Sequence, residues 1–154
     1  ESIGKDSSAR GKMSITTSTT ASATKVNGDA QALYISTTFS AVNGRRYWVD
    51  VHAYGVATVI SGTGRFEHRV RWASGGSVAN TDTLLGSTGL DINVAGTLNG
   101  EWYNGVFELT PGVTGNVTVG LFYLCTEAGD TIQYFGQATT PIRKNWISVR
   151  DVGV

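Results

Sequence analysis

The chain has 154 residues, of which 40% are hydrophobic and 16% are charged. A single domain of this size buries roughly 70% of the surface that its unfolded chain exposes, so it can fold without metals or disulfides. Lys plus Arg and Asp plus Glu each total 12 and cancel, which argues against nucleic-acid binding through net charge.

Cysteine usage and hydropathy narrow the class of protein further. Cys125 is the single cysteine, so an internal disulfide framework is excluded. The sequence contains no apolar run of about 18 residues and no basic segment followed by an apolar stretch at its start. We therefore expect no membrane insertion and no export signal. The chain begins with Glu1 rather than Met, and we expect further sequence upstream.

Residues 1–30 are dominated by Ser, Thr, Ala and Gly. Such a segment has little apolar surface to offset the cost of ordering it. We predict that this Ser/Thr-rich N-terminal segment contains at most one strand, near residues 11 to 18, and that residues 31–154 form a β-sandwich domain.

Alternation of apolar and polar residues begins at residue 31 and continues to the end of the chain. The stretches "QALYISTTFSAV" and "RRYWVDVHAY" flank Asn43-Gly44, a pair typical of hairpin turns. We predict a hairpin with a three-residue loop and a Gly bulge, because that register gives one dry face. The dry face would hold Leu33, Ile35, Phe39, Tyr47, Val49, Val51 and Ala53.

The remaining apolar runs are short and are separated by turns roughly every ten residues. The run at 117–125 is apolar on both faces, which favours a central strand with layers on both sides or a strand at an interface. No window of the sequence has a convincing helical period. The predicted fold is all-β: an antiparallel β-sandwich, jelly-roll-like, with about eight to ten strands.

Four Trp and six Tyr exceed what this core requires. In the preferred register, the outer face of the first hairpin carries the candidate ligand-binding residues Tyr34, Trp48, Asp50, His52 and Tyr54. Aromatic rings beside fixed donors and acceptors can hold a sugar. The alternative is that a neighbouring subunit or another layer covers this face. We expect Trp72, Trp102 and Trp146 to be core anchors.

The sequence offers little support for catalysis. His52 and His68 are the only histidines and have no Cys or His partner at a metal-ligand spacing. Pairs such as Glu101 with Glu108, or Asp50 with Glu67, could serve a glycosidase only if the fold brought them together. No nucleophile elbow and no phosphate-binding loop is present. We predict no enzyme activity and no cofactor, and we assign no metal-ligating residues; Asp91 and Asn93 are only two of the six or more oxygen ligands that calcium needs, which leaves a calcium site open but unsupported.

Three segments, "FSAVNGRRYWVDVHAY", "GVFELTPGVTGNVTVGLFYL" and "NWISVRDVGV", together resemble the C-terminal β-sandwich domains of minor tail or tail-fibre proteins of phages that infect Gram-positive, especially actinobacterial, hosts. Ser40 stands where that family usually has Thr. The matching positions are Phe39, Ala41, Gly44, Arg45, Tyr47, Val149, Asp151, Val152 and Gly153.

The resemblance implies a virion component of a phage tail, made in the host cytoplasm, usually homo-oligomeric and often trimeric. It transfers no catalytic residue, because the shared positions belong to turns and core. The predicted partners are host cell-surface glycan or other virion proteins. Three alternatives stay open: a purely structural tail or capsid decoration subunit, a carbohydrate-binding module of a hydrolase, and a polysaccharide-degrading enzyme.

Overall fold

A computed structural model of the chain describes residues 11–59, 64–92, 96–126, 128–134 and 144–154. Ten strands and no helix occur in these ranges, and no helix that could cross a membrane is therefore found there. The strands are β1 (Gly11–Ser18), β2 (Lys25–Val26), β3 (Ala32–Ala41), β4 (Arg46–Val59), β5 (Gly64–Ser74), β6 (Thr83–Ile92), β7 (Gly96–Leu109), β8 (Gly115–Cys125), β9 (Thr131–Tyr134) and β10 (Asn145–Gly153).

The strands form two antiparallel sheets, so the predicted all-β sandwich is confirmed. In sheet A, β4 pairs with β7 along one edge and with β10 and then β9 along the other. The outer edge of β10 pairs with β1, and the outer edge of β9 pairs with β2. Sheet B has the order β3-β8-β5-β6. β1 lies where a strand is predicted near residues 11 to 18, and β2 is a second, two-residue strand in the same segment.

The core lies between the two sheets and follows the period-2 pattern of each strand. Sheet A contributes Tyr47, Val49, Val51 and Ala53 from β4 and Ile147 and Val149 from β10, all buried. Sheet B contributes Ile35 and Phe39 from β3 and alternate residues of β5 and β8. Burial of these side chains is the main force that holds the layers together.

The predicted hairpin across Asn43-Gly44 is wrong. β3 pairs with β8 in sheet B, whereas β4 lies in sheet A, so the turn connects the two layers. The apolar faces of β3 and β4 therefore meet across the core, where Phe39 and Tyr47 have ring centroids 4.8 Å apart. Both arrangements bury the same alternate residues, which is why the sequence pattern did not separate them.

A register shift in β3 explains one misplaced core residue. Leu33 pairs with Phe122 and Ile35 pairs with Leu121, so Tyr34 is an extra residue on the β3 side. Such a bulge reverses the side to which the preceding residues point. Leu33 is consequently exposed, although the sequence pattern assigns it to the dry face.

The prediction that residues 117–125 form a central strand is confirmed, because β8 lies between β3 and β5. Its second face is covered by a loop rather than by another layer. Val78, in the loop between β5 and β6, is buried and lies close to Gly120, where an added Cβ would be 2.7 Å from the Val78 side chain.

Candidate functional site

The outer face of sheet A carries a group of aromatic side chains that we call the aromatic face. It is formed by outward residues of three neighbouring strands, β7, β4 and β10. Its members are Trp48, His52, Tyr54, Trp102 and Trp146.

Strand alternation places these residues outward. In β4 the inward positions Tyr47, Val49, Val51 and Ala53 fill the core, so the residues between them point away from it. Pairing then aligns the outward residues in rows across the sheet. His52 lies opposite Asn104 of β7 and Trp146 of β10.

The rings of this face pack against one another. His52 stacks on Trp102 with centroids 4.3 Å apart and on Trp146 with centroids 5.5 Å apart. Tyr54 lies tilted against Trp102 at 5.1 Å. The His52 Nδ1 atom is hydrogen-bonded to the Asn104 side chain. These contacts fix the orientations of four rings, so a partner would meet a preorganised surface.

Trp48 belongs to the same face but stands apart from the ring cluster. It lies between Glu108 of β7 and Arg150 of β10, four residues along β4 from His52. Trp48 is 45% exposed and Trp102 is 42% exposed. Large apolar side chains left open in this way are typical of surfaces that bind a ligand or a protein.

Asp50 has a partner within the chain. The Arg150 Nε and Nη2 atoms donate hydrogen bonds to its Oδ2 atom at 3.0 and 2.8 Å. Asp50 is buried, while the Arg150 side chain is 53% exposed. The polar group that this pair presents to a partner is therefore the guanidinium rather than the carboxylate.

Tyr34 does not share the aromatic face. It lies in sheet B, and its ring stacks on Tyr134 at 4.5 Å and packs against the core. Its hydroxyl donates to the Thr20 carbonyl at 2.9 Å and accepts from the Asn145 Nδ2 atom at 2.6 Å. The structure thus brings Trp48, Asp50, His52 and Tyr54 together and separates Tyr34 from them, because β3 and β4 are not a hairpin.

The expectation that Trp102 and Trp146 are core anchors is wrong. Both lie on the aromatic face, whereas Trp72 packs against the core. The alternation used for β4 would have found them. Buried Tyr103 follows Trp102 in β7, and the alternate buried residues Ile147 and Val149 follow Trp146 in β10.

A shallow groove runs beside the aromatic face, between β1 and β10. It is lined by Lys12, Ile15, Trp146, Ser148 and Arg150. His52 lies on the β4 side of Trp146 and the groove lies on its β1 side. The indole ring is therefore a wall of the groove as well as a member of the ring cluster.

The acidic pairs considered for catalysis are not assembled among the described side chains. Glu67 lies in sheet B, where Arg69 Nε donates to its Oε1 atom at 2.7 Å, while Asp50 lies in sheet A. The side chain of Glu101 is outside the described part of the structure. Within that part, no group of three or more His, Cys, Asp or Glu residues could hold a metal ion.

His68, the second histidine, is buried in the core and away from the aromatic face. It stacks on Tyr103 at 4.1 Å, and its Nδ1 atom is hydrogen-bonded to the Tyr134 hydroxyl. Burial lowers the pKa of His68 to about 3 and raises the pKa of Tyr103 to about 12. Both groups are therefore neutral near pH 7 and contribute to packing rather than to charge.

The chain matches no protein-family model, and no significant match is found among curated proteins. Two solved structures of infectious bursal disease virus, one of the Gx strain and one of the T13 viral particle, are similar to it with TM-scores of 0.42. Identities are 10% and 11%; the alignments cover 92% and 90% of this chain and 36% and 35% of those chains. The chain thus spans about a third of their length, and a similarity this low assigns neither family nor function.

Proposed function

We propose that this chain is a non-catalytic module of a phage tail or fibre and that it attaches to host-surface carbohydrate through the aromatic face. The resemblance of three sequence segments to phage tail domains supports the virion assignment. The observation that carries the binding role is the exposed, preorganised set of rings on one face of sheet A.

Sugars offer two kinds of surface that this face can contact. Their C–H faces pack on aromatic rings, and their hydroxyls take hydrogen bonds from fixed polar groups. Trp48 and Trp102 supply open ring surface. Asn104 and Arg150 supply polar groups that contacts within the chain already hold in place.

Removing one exposed ring tests the proposal. We expect Trp48→Ala to weaken retention on purified actinobacterial cell walls by about threefold to tenfold, since a buried aromatic contact is worth about 0.5–1.5 kcal/mol. Its thermal stability should stay close to that of the wild type because the ring is 45% exposed. Leu84→Ala is the matched control, because Leu84 is also 45% exposed but lies in sheet B. Equal retention of both variants and the wild type would refute the binding role.

A second candidate function is assembly, in which neighbouring virion proteins cover the same face. The exposed aliphatic side chains of Ile15 and Val106 favour this candidate, because aliphatic groups suit protein interfaces better than sugars. Loss of a stable oligomer in the Trp48→Ala variant, without any change in glycan retention, would select assembly over carbohydrate binding.

The absence of catalysis is tested on the same material. Incubation of the protein with cell-wall glycan should release no new reducing ends. Release that persists in a sample free of contaminating hydrolase would favour the polysaccharide-degrading alternative.

A further inference from the structure

We infer that the groove between β1 and β10 binds an acidic polysaccharide, with a sugar ring against Trp146 and anionic groups on Lys12 and Arg150. This inference rests on the proposed carbohydrate function and names its substrate class. It is carried by the residues that line the groove: an aromatic ring, an aliphatic side chain, a hydroxyl and two cations, with no acidic side chain among them.

The β10 side of the groove is a row of three outward residues. Trp146, Ser148 and Arg150 alternate with the core residues Ile147 and Val149, so they are spaced about 7 Å apart along the strand, and Ser148 is itself buried. A ring platform and a guanidinium thus lie in a line, with the buried Ser148 between them. Such a linear arrangement suits an extended chain of sugars better than a single compact ligand.

Arg150 is a preorganised cation. Its Nε and Nη2 atoms bind the buried Asp50 carboxylate, which holds the side chain in one position. The side chain is still 53% exposed, so its outer N–H groups can reach a ligand. A fixed guanidinium loses little further conformational freedom when it binds a carboxylate or a phosphate.

The β1 side of the groove supplies charge that Asp50 does not offset. Arg150 lies opposite Lys12, and Ser148 lies opposite Ile15. Lys12 is exposed and takes part in none of the ion pairs found among the described residues. Asp50 neutralises one of the two cations, so the groove keeps an excess positive charge that complements an anionic chain.

The test compares Lys12→Gln with the wild type on purified actinobacterial cell walls and on four polymers: polygalacturonate, phosphomannan, dextran and polyglutamate. We expect stronger retention on an acidic glycan than on dextran. Retention should weaken as salt rises from about 50 mM to about 500 mM, because exposed charges are screened. Lys12→Gln should weaken it by about twofold to fivefold.

Two further variants separate charge from stacking. Lys25→Gln removes a cation from β2, away from the groove, and should retain wild-type binding. Trp146→Ala should weaken binding to cell walls and to the acidic glycan by about tenfold. If Trp146→Ala fails to fold, Lys12→Gln still decides the charge contribution, because Lys12 is exposed.

The outcomes distinguish this inference from the proposed function. Retention on polygalacturonate or on phosphomannan identifies the acidic group as carboxylate or phosphate. Salt-insensitive cell-wall retention that Lys12→Gln leaves unchanged would overturn the acidic class while keeping carbohydrate binding. Equal retention on polyglutamate would show binding by charge alone and overturn the inference. Failure to bind any glycan or cell wall would overturn both.

Discussion

At the scale of single residues, His68 shows how the core uses a titratable group as a neutral ring. It lies between Phe66, with centroids 4.5 Å apart, and Tyr103, at 4.1 Å. Among the described residues, neither its Nε2 atom nor the Tyr103 hydroxyl has a hydrogen-bond partner. A proton on His68 would therefore place an unpaired charge in the core.

This burial predicts acid sensitivity. The pKa of His68 falls from 6.5 to about 3 on folding, so between these values only the unfolded chain binds the proton. The free energy of unfolding should therefore decrease as pH falls below 6.5, by about 1.4 kcal/mol per pH unit. Well above pH 6.5 neither state is protonated, and His68 contributes no pH dependence.

Urea unfolding at pH 7 and pH 4.5 measures this effect. His68→Phe should be less stable at pH 7, because it leaves the Tyr134 hydroxyl without its partner, but it should lose less stability on acidification. Parallel losses in the wild type and the variant would assign the acid sensitivity to carboxylates instead.

Asp151 is a second residue whose burial predicts a large effect. Its carboxylate accepts from Arg45 Nε at 2.7 Å, from Arg45 Nη2 at 3.0 Å and from the Gly153 amide at 2.9 Å. Asp151→Ala should lower the free energy of unfolding by about 3 to 5 kcal/mol, because it removes the carboxylate that three hydrogen bonds hold in a largely buried ion pair with Arg45.

Denaturant titration of Asp151→Ala beside Glu108→Gln provides the check. The side chains of Glu108 and Arg46 form an ion pair at 3.9 Å and are about half exposed. Loss of this pair in Glu108→Gln should therefore change the free energy of unfolding by less than about 1 kcal/mol. Similar losses in the two variants would contradict the argument from burial.

At the scale of elements, β4 organises both the core and the candidate site. One edge pairs with β7 and the other with β10 and β9, so β4 is the centre of sheet A. Its inward side also packs tightly on sheet B. A Cβ atom added at Gly55 would lie 2.9 Å from the Phe66 ring, which is itself fully buried.

Gly55→Ala should therefore lower the free energy of unfolding by about 1 to 3 kcal/mol, since neither the central strand nor the Phe66 ring can move aside cheaply. Thermal unfolding of this variant and of Gly76→Ala measures the difference. Gly76 is in an exposed loop with open space around its Cβ position, so its substitution should change stability by less than about 0.5 kcal/mol. Unchanged stability of Gly55→Ala would show that the two sheets pack less tightly at this point.

At the scale of the whole molecule, the proposed role of the aromatic face depends on the oligomeric state. If the chain forms an oligomer, carbohydrate binding requires that the oligomer leave Trp48 open to solvent. We expect acrylamide to quench part of the tryptophan fluorescence, and Trp48→Phe to remove much of the quenched component.

Light scattering coupled to gel filtration gives the oligomeric state of the same samples. Two results together would place the aromatic face at a subunit interface: acrylamide fails to quench Trp48 in a stable oligomer, and that oligomer dissociates in the Trp48→Ala variant. That result would favour the assembly function over carbohydrate binding.

The sequence by itself determined which side of its own strand most residues face. Alternation from residue 31 onward identified Tyr47, Val49, Val51 and Ala53 as core, and these four are buried. The same alternation placed Trp48 and His52 outward. This information is local, because successive side chains of a strand point to opposite faces whatever the strand pairs with.

Only the tertiary structure decided which strands meet. A hairpin and a turn between layers bury the same alternate residues, so the sequence pattern predicts that β3 pairs with β4, although β3 pairs with β8. Asp50 meets Arg150, and His52 meets Trp102 and Trp146, through pairings between residues about 50 to 100 positions apart. Side-chain alternation contains no information about such distant partners, so the ring cluster and the groove became visible only once the sheets were assembled.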